Sequence, residues 1–224
     1  MKAGSALATA PDMHPAHRLP RLMLVSDRHR GHGTTAVAPA IAGGLRFVQI
    51  REKDLPAAAI AAQISALRAH LGNTQTEVLI SVNGRPTLAR ELGVGLHLPA
   101  DHPVVQRSGI HLIGRSAHGS AEVDRALHEG ADYLVVGTLF ATPSKPGRTP
   151  LGLDAFETLV RRARPTPVYA IGGIDAARVG DVIAAGGHGV AVCGALLQAP
   201  DPAETAAAFM RALADADADL QEPL

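Results

Sequence analysis

In the stretch Ile110-His111-Leu112-Ile113-Gly114-Arg115-Ser116-Ala117-His118 an apolar run stops at a glycine and then presents a cation, a hydroxyl and an imidazole in quick succession. An imidazole titrates near neutrality, so it can take up a proton and return it. A well-placed general acid–base group accelerates a reaction by roughly 100- to 10,000-fold. His118 is therefore a candidate proton-transfer residue. The chain has 11 histidines, so residue type alone selects none of them. The rival is His97, which falls inside a strand-like run and also reads as a core or lining residue.

Two glycine-bearing stretches suit anion binding. Ala170-Ile171-Gly172-Gly173-Ile174 runs into a helical segment at Asp175, and Val192-Cys193-Gly194-Ala195 ends another apolar run. Without side chains in the way, backbone N–H groups approach a phosphate closely; the bland alternative is that these glycines only permit tight turns. Cations and polar groups fall at other strand ends: Gln49, Arg51 and Lys53, then Asn83, then Ser116. Thr142, Ser144 and Lys145 lie in a turn-rich loop long enough to act as a lid. Each alone reads as a solvated residue; together they suggest a small acidic ligand.

These positions gain meaning from the elements that carry them. Strand-like runs are expected at Leu22–Ser26, Arg46–Arg51, Glu77–Val82, Gly95–Leu98, Ile110–Gly114, Tyr133–Phe140, Pro167–Ile171 and Gly189–Cys193. Helical segments follow most of them, at Thr35–Ala42, Leu55–Leu71, Pro86–Leu92, Ser120–Glu129, Leu153–Ala163, Asp175–Ala185 and Pro202–Ala214; the return after the fourth run is short and irregular. Runs that are apolar throughout are strands covered on both faces, and their recurrence roughly every 24 residues matches a closed (β/α)8 TIM barrel in one domain. In that fold the strands' carboxyl ends carry the chemistry, which gathers the residues above on one rim. A doubly wound open sheet ranks behind, because no Gly-x-Gly-x-x-Gly follows the first strand. Residues 1–20 read as a flexible arm, 21–214 as the catalytic barrel and 215–224 as a fraying tail.

Composition excludes several classes. Acidic and basic residues balance at 21 each, so no field favours nucleic acid or a membrane surface. Aromatics make up 3% with no Trp, which removes stacking platforms for bases. The lone Cys193 excludes an internal disulfide and a multi-cysteine metal site. No apolar run reaches spanning length and no charged-then-apolar signal opens the chain, so a cytoplasmic setting is expected.

The segments Phe47-Val48-Gln49-Ile50-Arg51-Glu52-Lys53, Ala131-Asp132-Tyr133, Thr142-Pro143-Ser144-Lys145 and Ala170-Ile171-Gly172-Gly173-Ile174, in that order, resemble the thiamine phosphate synthase superfamily over residues 22–213. Two activities share that resemblance. The synthase joins a hydroxymethylpyrimidine diphosphate to a thiazole phosphate and holds the diphosphate with Mg²⁺, using Asn-Asp after strand three and a second aspartate after strand four. Here those positions read Asn83-Gly84 and Pro99-Ala100-Asp101-His102. One carboxylate is absent, His102 stands at the other position, and Asp101 lies one residue away.

The departures resemble the TenI-type thiazole tautomerase: Asn83-Gly84-Arg85, Leu98-Pro99 and Gly114-Arg115-Ser116-Ala117-His118. That resemblance implies an isomerase in thiamin biosynthesis that aromatises a carboxythiazole phosphate by a metal-independent proton shift. His118 would be the base. Gly172, Gly173, Cys193 and Gly194 would surround the phosphate, although the family commonly has Ser at Gly194. Arg51, Lys53 and Lys145 would meet the carboxylate or phosphate, Gln49 and Ser116 would orient the ring, and Asn83, Thr142 and Ser144 complete the contacts. No cofactor is implied, Mg²⁺ entering only with the synthase alternative, and homodimers are common in the family. The tautomerase is the leading expectation, followed by the synthase and then by a silent phosphate-binding regulator.

Overall fold

Short aliphatic runs become strands here because each is covered on both faces, by the barrel interior on one side and by helices on the other. The computed structural model describes residues 19–72, 76–143, 147 and 149–221. The strands are β1 (Leu22–Val25), β2 (Phe47–Ile50), β3 (Leu79–Asn83), β4 (Gly95–Leu98), β5 (Ile113–Ala117), β6 (Tyr133–Gly137), β7 (Val168–Ile171) and β8 (Gly189–Val192). They pair in parallel in chain order, and β8 returns to β1 with Leu22 opposite Val190, closing a single barrel. The helices are α1 (Val37–Ala42), α2 (Ala57–Gly72), α3 (Pro86–Leu92), α4 (Ser120–His128), α5 (Leu153–Ala163), α6 (Val179–Ala184), α7 (Gly194–Leu197) and α8 (Pro202–Gln221). Pro86 opens α3, where its missing N–H is not needed. No helix among the described residues is long and apolar enough to cross a membrane.

Two apolar layers result. The larger lies between barrel and helices, with Leu24, Val48, Val82, Leu96, Phe156 and Phe209 among its members. The smaller fills the barrel and is aromatic: Phe47, Tyr133 and Tyr169 meet edge to face at centroid separations of 5.5–6.1 Å. Gly114 makes room for them, since a Cβ there would stand 2.0 Å from the Tyr133 ring. This packed floor closes the barrel below and leaves the carboxyl ends open above.

Some boundaries differ from expectation. β5 is Ile113–Ala117 rather than Ile110–Gly114. Ile110 and Leu112 are buried, but in the turn before the strand, where the Ile110 amide bonds the Arg107 carbonyl at 2.7 Å. Apolar content marked burial, not strand. Similarly β6 ends at Gly137, and Leu139 is buried beyond it. The expected fraying tail is helical through Gln221, because Ala216 is buried and Asp217 pairs with Arg21. Residues 1–18 of the expected arm lie outside the described residues. Its last two do not behave as an arm: Leu19 is buried, the Leu19 carbonyl accepts from His188 Nε2 at 2.9 Å, and the Pro20 carbonyl accepts from the Tyr169 hydroxyl at 2.6 Å.

Candidate active site

The open end is a cavity of about 1010 Å³. Its lining includes Gln49, Arg51, Lys53, Asn83, Ser116, His118, Thr142, Gly172, Gly173, Cys193 and Gly194, each of which was expected at the site. Ser144 and Lys145 lie outside the described residues. Strand parity explains the grouping. Alternate side chains along a strand point to opposite faces, so Ser116 enters the cavity whereas Arg115 points outward into the helix layer, where it is buried.

The β2 side is cationic. Asn83 Nδ2 donates to Gln49 Oε1 at 3.0 Å, joining the ends of β2 and β3. The Ser26 hydroxyl donates to Glu52 at 2.6 Å and accepts from the Arg51 amide at 3.0 Å, which fixes the backbone where β2 ends. Arg51 is half-buried, and its guanidinium has no hydrogen-bond or ion-pair partner among the described residues; the same holds for the exposed Lys53.

The floor is His97. Its Nε2 is 2.9 Å from Ser116 Oγ and its Nδ1 is 3.2 Å from the Tyr133 hydroxyl. Burial, reinforced by the charges of Arg51 and Arg115, depresses its pKa to about 3, so the ring is neutral at neutral pH. His118 is oriented at two points: its amide donates to Glu122, and its Nδ1 contacts the Gly137 carbonyl. A carbonyl only accepts, so Nδ1 carries a hydrogen.

The rim after β7 and β8 is built from glycines. Gly172 and Gly173 have φ of +107° and +66°, and a Cβ on either would stand 2.5 Å from the Thr138 or Ala141 region of the neighbouring loop. Arg178 secures this corner by bonding the Gly173 carbonyl and stacking over Phe140 at 4.8 Å. Gly194 and Ala195 open α7, where the first N–H groups have no acceptor inside the helix. Cys193 lines this side as a neutral thiol, its pKa pushed up to about 11 chiefly by burial.

The sequence reading omitted the β1 rim, where Asp27, His29 and Arg30 also line the cavity. A signal existed: Asp27-Arg28-His29-Arg30 directly follows the first apolar run. These charges are largely engaged with one another. Arg30 Nε meets Asp27 at 3.1 Å, and Asp54 accepts from Arg28 and His29, contacts that hold its carboxyl well below the usual range.

A two-carboxylate Mg²⁺ clamp does not fit these residues. Among the described residues no three His, Cys, Asp or Glu side chains form a cation site. Gly84 offers no ligand, Asp101 is exposed at the rim, and His102 turns its Nδ1 to the Pro103 carbonyl at 2.9 Å. Glu52 is committed to the Ser26 hydroxyl and the Arg28 amide, and Glu122 to the His118 amide.

The thiamine monophosphate synthase (TMP-TENI) profile matches residues 22–196. The chain belongs to that family. Within the thiamine monophosphate synthase family, a thiamine-phosphate synthase of Gloeobacter violaceus is 40% identical over 212 residues, 92% of this chain and 61% of that protein, so the chain spans less than two thirds of that relative. A thiamine-phosphate synthase of Thermus thermophilus is 38% identical over 181 residues, 78% of this chain and 85% of that one. The structure titled thiamine phosphate pyrophosphorylase from Pyrococcus furiosus superposes with a TM-score of 0.77 at 26% identity, covering 88% of this chain and 96% of that one.

These relatives overturn the tautomerase expectation, and with it the isomerase class: proteins 36–40% identical over most of the chain are named synthases. The motifs that suggested the isomerase have structural uses here. Arg115 of Gly114-Arg115-Ser116-Ala117-His118, which does not line the cavity, bonds loop carbonyls, and the His118 ring is anchored to the Gly137 carbonyl.

Proposed function

We propose that this protein is a transferase of thiamine phosphate formation, joining a hydroxymethylpyrimidine diphosphate to a thiazole phosphate with release of pyrophosphate. The observation that carries the reading is one cavity with two unlike anion-binding sites, Arg51 and Lys53 after β2, without partners among the described residues, and the glycine corner of Gly172, Gly173 and Gly194 after β7 and β8. A reaction between two phosphorylated substrates needs such a pair. The names of the relatives support the same reading.

In the proposed step the thiazole ring nitrogen forms a bond to the pyrimidine methylene carbon while that carbon's bond to the diphosphate oxygen breaks. The nitrogen attacks through a lone pair and carries no hydrogen, so no general base is required. Charge accumulates on the leaving diphosphate, where Arg51 and Lys53 stabilise it; fixed charges aimed at developing charge act strongly in a water-poor site. The glycine corner holds the thiazole phosphate. Gln49, steadied by Asn83, and Ser116, steadied by neutral His97, orient the rings. His118 and Thr142 form cavity wall beside them, and Cys193, being un-ionised, adds no negative charge next to a phosphate.

Purified protein given both substrates, with Mg²⁺ and separately with EDTA, should form thiamine phosphate and pyrophosphate in equal amounts. Absence of product in both buffers would sink the proposal.

A further inference from the structure

The Mg²⁺ clamp expected of a synthase lacks its ligands here, yet the diphosphate charge must still be met. Resting on the transferase reading, we propose that this chain binds the diphosphate group directly through Arg51 and Lys53, without dependence on a divalent cation.

Gly84 directly follows β3. Its amide donates to the His97 carbonyl at 2.8 Å, and its φ is +64°. An ideal Cβ there would meet only Pro99 ring carbons, at 3.8 and 4.0 Å. Crowding therefore does not exclude a side chain, and Asp and Asn are the residues that most readily adopt this left-handed conformation after glycine. The missing carboxylate reflects residue choice, not steric necessity.

The loop that carries Asp101 is tied down by two arginines. Arg115 Nη1 donates to the carbonyls of Pro99 at 3.1 Å, Ala100 at 3.2 Å and His102 at 2.9 Å, and Arg125 adds a bond to His102 at 2.8 Å. Glu129 pairs with both arginines. Three carbonyls held by a buried ion-paired network leave the loop little freedom, so Asp101 stays at the exposed rim and does not shift to supply the lost ligand. The cationic side of the cavity then supplies the compensation. A guanidinium matches phosphate oxygens with paired charge-assisted bonds, and Arg51 is already in the cavity with no competing acceptor among the described residues.

The test is calorimetric titration of the full chain with inorganic pyrophosphate, in EDTA and in Mg²⁺, corrected for Mg²⁺–pyrophosphate complexation. The wild-type Kd values in the two buffers should agree within about threefold, and Arg51→Ala should weaken binding in EDTA by at least about tenfold. Gly84→Asp combined with His102→Asp, which supplies both carboxylates, should create Mg²⁺-enhanced binding of about tenfold or more, while Gly84→Asn combined with His102→Asn, with the same shape and no charge, should not. Wild-type binding that is about tenfold weaker in EDTA overturns the inference, as does no binding in either buffer. So does a folded Gly84→Asp, His102→Asp double variant that gains no Mg²⁺ enhancement; if that variant does not fold, the wild-type comparison decides alone. Failure of the transferase reading is a separate result, absence of coupled product from the two organic substrates.

Discussion

Arg51 directly follows β2 and Arg115 lies in the middle of β5, and the regions around them use the same guanidinium in opposite ways. Arg115 is buried with its donors spent on the Pro99, Ala100 and His102 carbonyls and its charge spent on Glu129. Arg51 is half-buried in the cavity wall with its side-chain donors uncommitted among the described residues. The first region converts charge into shape, fixing a loop. The second keeps charge available for a ligand. An arginine on the active rim is thus defined by its partner inventory, not by its place along the chain.

The largest expected effect tests the structural region. Arg115→Met should lose about 3 kcal/mol of stability in urea unfolding, because Glu129 is left buried with only the more exposed Arg125 as counter-charge. A loss below about 1 kcal/mol would put Arg115 in the class of weak surface pairs and break the comparison.

Arg51→Ala should do the reverse: coupling turnover should fall about 100- to 1,000-fold, the scale seen when one preorganised charge-stabilising donor is removed, while the melting temperature barely moves. Equal damage to folding would show that Arg51 is structural after all.

His97 lies between the two regions, and after burial itself both arginine charges oppose its protonation. Its folded pKa of about 3 lies below the ordinary 6.5, so between these values the unfolded chain binds a proton that the folded chain refuses. The stability it contributes is present above pH 6.5 and is lost as pH falls toward 3, with a limiting slope of about 1.4 kcal/mol per pH unit. His97→Gln should flatten this acid limb in urea midpoints measured across the window. An unchanged slope would mean that His97 is not held neutral.

The smallest effect is expected at His118. A lone-pair nucleophile needs no base, so His118→Gln should change coupling turnover by less than about tenfold, below the typical range for loss of general acid–base catalysis. A larger loss with unchanged binding of both substrates would restore a proton-transfer role and move the centre of chemistry from the β2 side to β5.

Much of the architecture was legible because burial on both faces writes itself as uninterrupted apolarity. β1, β2, β4, β7 and β8 fall within a residue or so of their expected positions. β5 was misplaced for the opposite reason: it contains Gly114, Arg115 and Ser116, and it looks like a strand only once Glu129 and His97 are known to satisfy its polar side chains. The same blindness affected function. The Gly114–His118 motif looked like reaction chemistry, whereas the relatives name a synthase and the structure turns Arg115 away from the cavity.

Residue order was enough for the barrel and for the rim that carries the ligand-facing groups, because periodicity and strand ends are local properties; the gap at Gly84 showed only against the motif of the family the chain resembles. Pairing is not local. That Arg115 is consumed, that Arg51 is uncommitted, that His97 is held neutral and that Asp101 is fixed at the rim each depend on groups brought together from distant parts of the chain. Only the closed barrel determines which charge meets which, and hence which of two similar arginines remains available to a substrate.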